Sequence, residues 1–418
     1  MFKTRCVTLV FFCLFMMPAL IQAQSLPTIP MAGIYQGNVW VFGDNPQPVT
    51  DGSTTHVYYD LVWSADGTKL AFVANDNPNG GGEDTVMLWD THDKDKLAVP
   101  LYSSFFIHGL GFSSDSKEIM VIDYSTTLQS LTLRQIDAQA GAAVHDTNIP
   151  MPFTSGVECG GGPVNFAHAK YFDDKNEWRG MILSQTSAGW FFSGDCLIPG
   201  DYLINAETSV GITISENTKN TALSPDGTRI VGLSRIKGQN NYQPTLYNLQ
   251  TKTSQVLETP VMPDLFAWSP DGQSIFYTHR EPHGTIFGSL TADKQEHLKS
   301  LIDSAYLDDG TSYQSSLYRY DIASGNSTLL VLSYAYGFAN LNVLPDAIIF
   351  SETENADNLL SMLANGSGTL PSENQYNIFK DLIQVHLMRL DFSTHQLEPL
   401  ATGITQAAVN VPLVTSTP

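Results

Sequence analysis

Cysteine and basic residues are scarce in this chain of 418 residues. It has four cysteines, and its 21 lysines and arginines are outnumbered by 42 aspartates and glutamates, which gives a formal net charge of −21. Nucleic acids and anionic membranes bind to basic protein surfaces, so this charge argues against both as partners. The same charge helps to keep an exported protein in solution.

Long apolar runs are also rare, and the one that stands out lies at the N-terminus. Two basic residues precede an apolar run from Val7 to Ile21, and the small residue Ala23 follows it. This order is typical of a secretory signal peptide, whereas a membrane span needs about 20 apolar residues. We therefore expect a signal peptide over residues 1–23, a single domain over 24–418, no membrane span after cleavage, and a secreted or periplasmic protein.

Two of the four cysteines lie within the predicted signal peptide. Cys159 and Cys196 remain in the rest of the chain. In an oxidising compartment, two cysteines favour one disulfide, and two free thiols are the alternative.

Several motifs that would indicate catalysis are missing as well. The sequence contains no Gly-x-Ser-x-Gly, no His-Glu-x-x-His, no Cys-x-x-Cys and no phosphate-binding loop. Its two Gly-Gly-Gly runs lack the following helix that a phosphate site uses. We therefore assign no catalytic residue.

One short motif is repeated along the chain. Its clearest copies are Trp63–Gly67, Phe112–Ser116, Leu223–Gly227 and Trp268–Gly272. Ser-Pro-Asp-Gly favours a type I turn followed by a glycine in the left-handed conformation. An apolar run rich in β-forming residues follows each copy, as in Leu70–Val73. Each copy therefore predicts a tight hairpin whose second strand is buried.

A second pattern follows these hairpins. Segments that alternate in polarity and end near a polar turn occur at Asn38–Asp44, Val86–Asp90, Leu131–Asp137, Thr245–Leu249, Leu317–Asp321 and His386–Asp391. Alternation of this kind predicts an outer, half-exposed hairpin. Two hairpins make a four-stranded antiparallel unit, and its repetition predicts an all-β fold, the β-propeller.

Weaker copies of the turn bear on the number of blades. They are Tyr171–Asp174 before Met181–Leu183, and Val343–Asp346 before Ile348–Phe350. Six inner hairpins result, whereas the outer hairpins number seven if Asp201–Asn205 is included. The segment 407–415 can supply the missing inner strand, so that both ends of the chain build one blade. We therefore favour seven blades, with six as the alternative.

Two polar segments interrupt the repeats. The long interval between Asp271 and Asp346 implies an insertion, which we place at 281–312. A second segment, 365–381, is rich in glycine, serine and asparagine and is typical of a surface loop.

The repeat resembles that of the TolB-like, WD-repeat-like propellers, in which an aromatic residue precedes Ser-Pro-Asp-Gly and an apolar strand. The resemblance covers most of the chain after residue 23. It implies the propeller fold and, because such propellers are typically protein-interaction platforms, a role in binding other proteins.

The turn aspartate gives a register for comparing blades. Propeller sites lie at the mouth of the central channel, beside the innermost strands. Counting seven residues back from each turn aspartate gives Tyr59, His108, Ala167, Lys219, Asp264 and Ala339. The polar members, Tyr59, His108, Lys219 and Asp264, form our candidate site for a polar ligand such as a saccharide. The alternative is a set of channel residues bonded to water or to each other.

Metal sites are weakly indicated. Acid-rich segments occur at Asp76–Asp84, Asp173–Glu177 and Asp308–Asp309, and oxygen-rich loops of this kind can hold calcium. None has EF-hand spacing, so surface turns are the favoured explanation. His279 and His283 flank Pro282 and could form a metal pair, but the proline favours a loop with solvated histidines. We expect no cofactor, with calcium as the one open candidate.

Two functions remain from the sequence. The favoured one is an exported, non-enzymatic propeller that serves as a protein-interaction or ligand-binding scaffold in the cell envelope or outside the cell. The alternative is a propeller enzyme, a polysaccharide lyase or glycosidase, with its site at the channel mouth. Some lyases of similar repeat hold a metal with channel histidines, but His108 is the one histidine of our candidate ring, which counts against this alternative.

Overall fold

A computed structural model describes residues 29–52, 56–77, 82–104, 107–125, 130–139, 143–149, 181–182, 184–186, 189–193, 201–205, 210–215, 218–235, 241–285, 289–301, 311–355, 357–365 and 384–410. Cys159, Cys196, Ala167 and the residues before position 29 lie outside these ranges, so the predicted disulfide and signal peptide stay predictions. No helix in the described ranges is long and apolar enough to span a membrane.

The described strands form seven sheets, here called blades 1 to 7. Blade 1 contains β1 (Met31–Tyr35), β2 (Asn38–Phe42), β3 (Gln47–Pro48) and β29 (Ile404–Val409). Blade 2 contains β4 (Val57–Trp63), β5 (Lys69–Asn75), β6 (Asp84–Asp90) and β7 (Val99–Ser104). Blade 3 contains β8 (Ile107–Phe112), β9 (Glu118–Ser125), β10 (Ser130–Asp137), β11 (Ala143–Ile149) and β12 (Met181–Ile182).

The other four blades follow in the same order along the chain. Blade 4 contains β13 (Ser184–Thr186), β14 (Gly189–Ser193), β15 (Asp201–Asn205) and β16 (Val210–Ser215). Blade 5 contains β17 (Thr218–Leu223), β18 (Arg229–Arg235), β19 (Tyr242–Asn248) and β20 (Thr253–Val256). Blade 6 contains β21 (Phe266–Trp268), β22 (Ser274–Thr285), β23 (Thr311–Asp321) and β24 (Asn326–Ser333), and blade 7 contains β25 (Gly337–Val343), β26 (Ala347–Thr353), β27 (Val385–Asp391) and β28 (Leu397–Thr402).

Six of these sheets are four-stranded and antiparallel, and blade 3 has the same four strands with the short β12 added parallel to β8. Neighbouring blades meet in a ring through their inner strands: β29 contacts β4, β4 contacts β8, β8 contacts β13, β17 contacts β21, β21 contacts β25, and β25 contacts β29. In blade 4 the contact to β17 comes from the second strand, β14. The predicted propeller of four-stranded antiparallel blades is therefore confirmed, and its seven sheets match the favoured count.

Blade 1 closes the ring with strands from two distant parts of the chain. Residues of β29 pair with β1, from Tyr35 opposite Ile404 to Met31 opposite Val409. The tail does supply the missing inner strand, although that strand begins at Ile404, before the segment we proposed.

The core lies between neighbouring blades. Residues of blade 2, such as Val73, pack with Ile107 and Ile119 of blade 3, and Phe276 of blade 6 packs with Ile348 and Phe350 of blade 7. Second strands carry long buried runs, as in β5, where six consecutive residues are shielded from solvent, and in β22, where the first five are. The apolar runs after the turns are therefore the strands that hold adjacent blades together.

The repeated turn has one geometry throughout its clear copies. In blade 5 the buried hydroxyl of Ser224 accepts a bond of 2.9 Å from the Arg229 N–H and donates one of 2.5 Å to the Asp226 carboxylate. That carboxylate accepts a bond of 3.0 Å from the Thr228 N–H, and Gly227 has a φ of 67°. The left-handed glycine was predicted, and in blade 3 Ser116 takes its place with a φ of 61°.

Acidic pH should weaken these turns. Burial raises the pKa of Asp66, but hydrogen bonds from Ser64 and Thr68 outweigh it and lower the pKa from 3.8 to about 2. The pKa values of Asp115, Asp226 and Asp271 are lowered too. A carboxylate with a lowered pKa stabilises the fold above its ordinary pKa, and the stabilisation is lost as the pH falls through the folded value. We expect the unfolding temperature, measured by thermal unfolding, to be constant near neutral pH and to fall steeply between about pH 4 and pH 2. An Asp66→Asn/Asp226→Asn variant should show a shallower fall. An equally steep fall in this variant would show that the turn aspartates do not cause the loss of stability.

Blade 4 departs from the prediction. Met181 and Ile182 were expected to form its buried second strand, but they pair in parallel with Gly109 and Leu110 of blade 3. The second strand is instead β14, with Trp190 and Phe191 buried. The prediction was wrong because the short apolar run was assigned by composition, and the hairpin of blade 4 does not use the serine–aspartate turn. Asp173 and Asp174 lie outside the described residues.

The insertion in blade 6 contains regular secondary structure, although a polar sequence of this kind is typical of a loop. Strand β22 continues to Thr285, and α1 (Ala292–Leu301) follows it. Pro282 lies within this strand opposite Tyr313, beside a bulge, so the expectation of a loop at the proline was wrong. Blade 7 carries a second helix, α2 (Asp357–Ala364), just before the predicted loop, most of which lies outside the described residues.

Candidate functional site

The two faces of the propeller differ. On one, the turn face, the tight inner turns of neighbouring blades bond to each other, as when the Asp66 N–H donates to the Ser116 hydroxyl over 3.1 Å. The opposite face, the loop face, carries the connections between the second and third strands and those between blades. Both described α-helices lie in such connections, in the adjacent blades 6 and 7. The loop face is therefore the more elaborate of the two.

The predicted ring residues fall on the innermost strands or just before them. His108 lies in β8, Lys219 lies in β17 opposite Leu233 of β18, and Asp264 precedes β21. Tyr59 is buried within blade 2, where its hydroxyl donates to the Asp84 carboxylate. The structure thus brings Tyr59 to an internal polar contact, and a ligand-binding role for these four residues stays a prediction.

A second ring, which the sequence reasoning missed, lies one residue further along the innermost strands. Asp60, Asn220, Asn340 and Gln406 have φ values between 50° and 56°, and each sits where the strand pairing shifts register. A left-handed residue in a bulge is most easily an aspartate or asparagine, because a short polar side chain tolerates this conformation. For Asp60, Asn220 and Asn340, an Asx residue six positions before the turn aspartate was the available signal.

Polar side chains near these bulges join neighbouring innermost strands. The Gln406 carboxamide oxygen accepts from the Asp60 N–H over 3.1 Å, which joins blade 1 to blade 2. The Asn342 amide donates to the Ala407 carbonyl over 3.1 Å, and its oxygen accepts from the Val409 N–H over 3.1 Å, which joins blade 7 to blade 1. The channel wall is thus lined by polar groups that also hold the ring.

Arg280 occupies a distinctive place on the loop face, between blades 6 and 7. Its guanidinium carbon lies 4.5 Å from the centre of the Tyr336 ring and 4.8 Å from that of Tyr313, and the two rings meet edge-on. One Nη1–H makes a long bond of 3.5 Å to the Tyr336 carbonyl. Cation–π contacts with two tyrosine rings restrain the position of the guanidinium.

The two tyrosines are themselves held in place. Asn355 is buried, and its side chain accepts from the Tyr313 N–H and donates to the Tyr313 carbonyl, each over 2.8 Å. The Tyr336 N–H donates to the Thr353 carbonyl over 2.8 Å. The Arg280–Tyr313–Tyr336 group, here called the arginine clamp, is therefore built from both blades.

A histidine–carboxylate pair lies on the same face. His386 Nε2 is 2.8 Å from Glu354 Oε1, and its Nδ1 is 3.0 Å from the Thr402 hydroxyl. Glu354 immediately precedes Asn355, so the pair adjoins the support of the arginine clamp. Because both ring nitrogens have partners, this histidine is oriented and does not stand free in solvent.

The histidines considered as metal ligands contact other protein groups in the structure. Among the described residues, no group of three or more histidine, cysteine, aspartate or glutamate side chains could hold a metal ion. His279 Nδ1 lies 2.8 Å from the Met262 carbonyl, whereas the His283 ring packs against Tyr334. Asp84, which we had placed in a surface turn, is 2% exposed and bonded to residues of blades 2 and 3, so that interpretation was wrong.

Comparison with known proteins gives likenesses of fold. No family model and no curated protein matches the sequence. The chain is similar in structure to TolB from Acinetobacter baumannii (14% identity, 72% of this chain and 62% of that chain, TM-score 0.41) and to a putative TolB from Agrobacterium tumefaciens (12% identity, 88% of each chain, TM-score 0.40). It is also similar to the propeller domain of the Trilobed protease from Pyrococcus furiosus (11% identity, 87% of this chain and 89% of that chain, TM-score 0.47). The chain spans less than two thirds of the length of the Acinetobacter protein, and its own strand order and ring of contacts identify it as a β-propeller.

Proposed function

We propose that this protein is an exported binding propeller, a protein-interaction scaffold of the cell envelope or the cell exterior, and that the loop face of blades 6 and 7 is its binding surface. One observation carries the proposal: these two adjacent blades have ordered chain beyond the four strands that a blade requires. A connection that only links strands is short, and binding residues are disproportionately found on added loops held by a rigid scaffold.

Contacts between the two additions support their acting as one surface. Helices α1 and α2 contact each other, and Lys294 Nζ donates to the Asn365 side-chain oxygen over 2.6 Å. Leu298 and Leu360 are buried among the described residues, so each helix has an apolar anchor. The additions of blades 6 and 7 therefore support each other as well as the blades beneath.

Exposed apolar side chains lie beside this surface. Leu332 and Tyr334, at the loop-face end of β24, are 56% and 52% exposed, and Tyr334 packs against His283. An aromatic residue with an exposed leucine two positions away is the composition expected of a protein contact.

The test is capture of partners from an extract of the native envelope with immobilised protein. We expect a partner to be retained by the wild type and lost, by about tenfold or more, from a Leu332→Asp/Tyr334→Asp variant, because one or more contacts of about 1.4 kcal/mol are removed. The matched control is Leu97→Asp/Val99→Asp, which changes two residues of similar exposure on blade 2. Equal capture by both variants, or no partner for the wild type, would count against the proposal.

A further inference from the structure

Arg280, like Arg319, has no carboxylate within 4 Å among the described residues, but Arg319 donates to the Ser274 hydroxyl over 3.0 Å. Arg229 lies 3.6 Å from the Asp226 carboxylate, and Arg389 contacts three carboxylates at 3.3 to 3.4 Å. The chain has twice as many acidic as basic residues, so a shortage of carboxylates does not explain why Arg280 lacks an acidic partner.

The arginine clamp leaves most of the donors of this guanidinium uncommitted. A guanidinium has five N–H groups in one plane, and one of them makes the long bond to the Tyr336 carbonyl. The two tyrosine rings flank the guanidinium carbon, and the remaining N–H groups are the part left for a ligand. A fixed, planar fork of donors matches the two oxygens of a carboxylate.

Preorganisation distinguishes this arginine from a mobile surface side chain. Tyr313 is pinned by the twin bonds of Asn355, and the strand end before Tyr336 is pinned by the Ser315 hydroxyl, which donates to the Ala335 carbonyl over 2.9 Å. A donor group that is already oriented loses little entropy when a ligand binds.

We propose that the arginine clamp binds a carboxylate of a peptide partner on the loop face. The inference deepens the proposed function and rests on it, since it names the chemistry by which that surface holds a protein. The exposed Leu332 and Tyr334 lie on the segment that leads into Tyr336, and they suit the apolar side chains of a peptide better than the hydroxyl groups of a sugar. A net charge of −21 opposes long acidic runs, so the ligand carries an isolated carboxylate.

The experiment is binding of the labelled full chain to an array of mixed-sequence peptides printed in three forms: with a free C-terminus, with an amidated C-terminus, and amidated without aspartate or glutamate. We expect wild-type binding to concentrate on carboxylate-bearing peptides, and the first two forms distinguish a terminal from a side-chain carboxylate. Arg280→Gln should weaken this binding about 30-fold, the equivalent of about 2 kcal/mol. Arg280→Lys keeps the charge but loses the fork, so its binding should be intermediate.

The matched control is Arg229→Gln, which removes an arginine that also stacks on an aromatic ring but lies on the turn face and is already bonded to the Gly272 carbonyl. It should bind peptides as the wild type does. Thermal unfolding checks that each variant is folded, and Arg280→Lys serves if Arg280→Gln is not. Equal binding by the wild type and both Arg280 variants, equal binding of acid-free amidated peptides, or binding of oligogalacturonate in place of peptides would overturn the inference. If partner capture depends on Leu332 and Tyr334 but not on Arg280, the proposed function stands and this inference fails.

Discussion

Replacement of Asp84 by alanine is expected to lower the free energy of unfolding by about 3 kcal/mol, because a buried carboxylate at the junction of two blades is removed. Its oxygens accept bonds from the Tyr59 hydroxyl, from the Asn75 amide over 2.8 Å and from the Ile107 N–H over 2.9 Å. Tyr59 and Asn75 belong to blade 2, and Ile107 begins blade 3. Without the carboxylate, three buried donors lose their acceptor.

Urea unfolding followed by tryptophan fluorescence measures this effect. Asp84→Asn retains one acceptor oxygen and should lose less stability than the alanine variant. Asp93→Ala, at a side chain 61% exposed, should change the free energy by no more than about 0.5 kcal/mol. A loss below about 1 kcal/mol in Asp84→Ala would show that the blades do not depend on this carboxylate.

Replacement of Ile404 by aspartate should have a still larger effect, a loss of about 4 kcal/mol or more, because it puts a charge at a fully buried position in the strand that closes the ring. Ile404 packs with Met31 and Leu387, and pairs with Tyr35. The charge can be solvated only if β29 leaves β1, which would open the sheet.

Denaturant unfolding and limited proteolysis together test this prediction. Ile404→Val removes one methylene group and should cost only about 1 kcal/mol. In the aspartate variant, we expect early cleavage within β1 or β29 before the other blades are digested. Uniform digestion of all blades, or wild-type stability, would contradict the closing role of this strand.

The architecture was predictable because each blade repeats the same local chemistry. A serine, an aspartate and a left-handed residue close a hairpin within a few positions, and an apolar strand follows, so the signal needs no distant contact. Blade 4 was misassigned for the same reason, since its hairpin at β13 and β14 lacks this turn. Helix α1 was missed because its sequence is mostly polar, and α2 because its eight residues are too few to show a helical period.

The candidate site could be predicted only in part. The register that starts at the turn aspartate locates the innermost strands, but it could not show that Tyr59 turns into blade 2 towards Asp84. The arginine clamp brings together Arg280, Tyr313 and Tyr336, which come from one extended hairpin and the connection to the next blade. No spacing in the sequence predicts that these three side chains lie together, because their contact depends on how blades 6 and 7 pack.

The pairing of β1 with β29 also bears on how the protein folds. Blades 2 to 7 form from hairpins whose strands are near neighbours in the chain, whereas blade 1 must join residues near position 35 to residues near position 404. Contacts between such distant residues form slowly, because a long loop must be closed before the pairing stabilises it. We therefore expect ring closure to be the late step of folding and the opening of blade 1 to be the first step of unfolding, so that the lifetime of the native state is set at this one sheet.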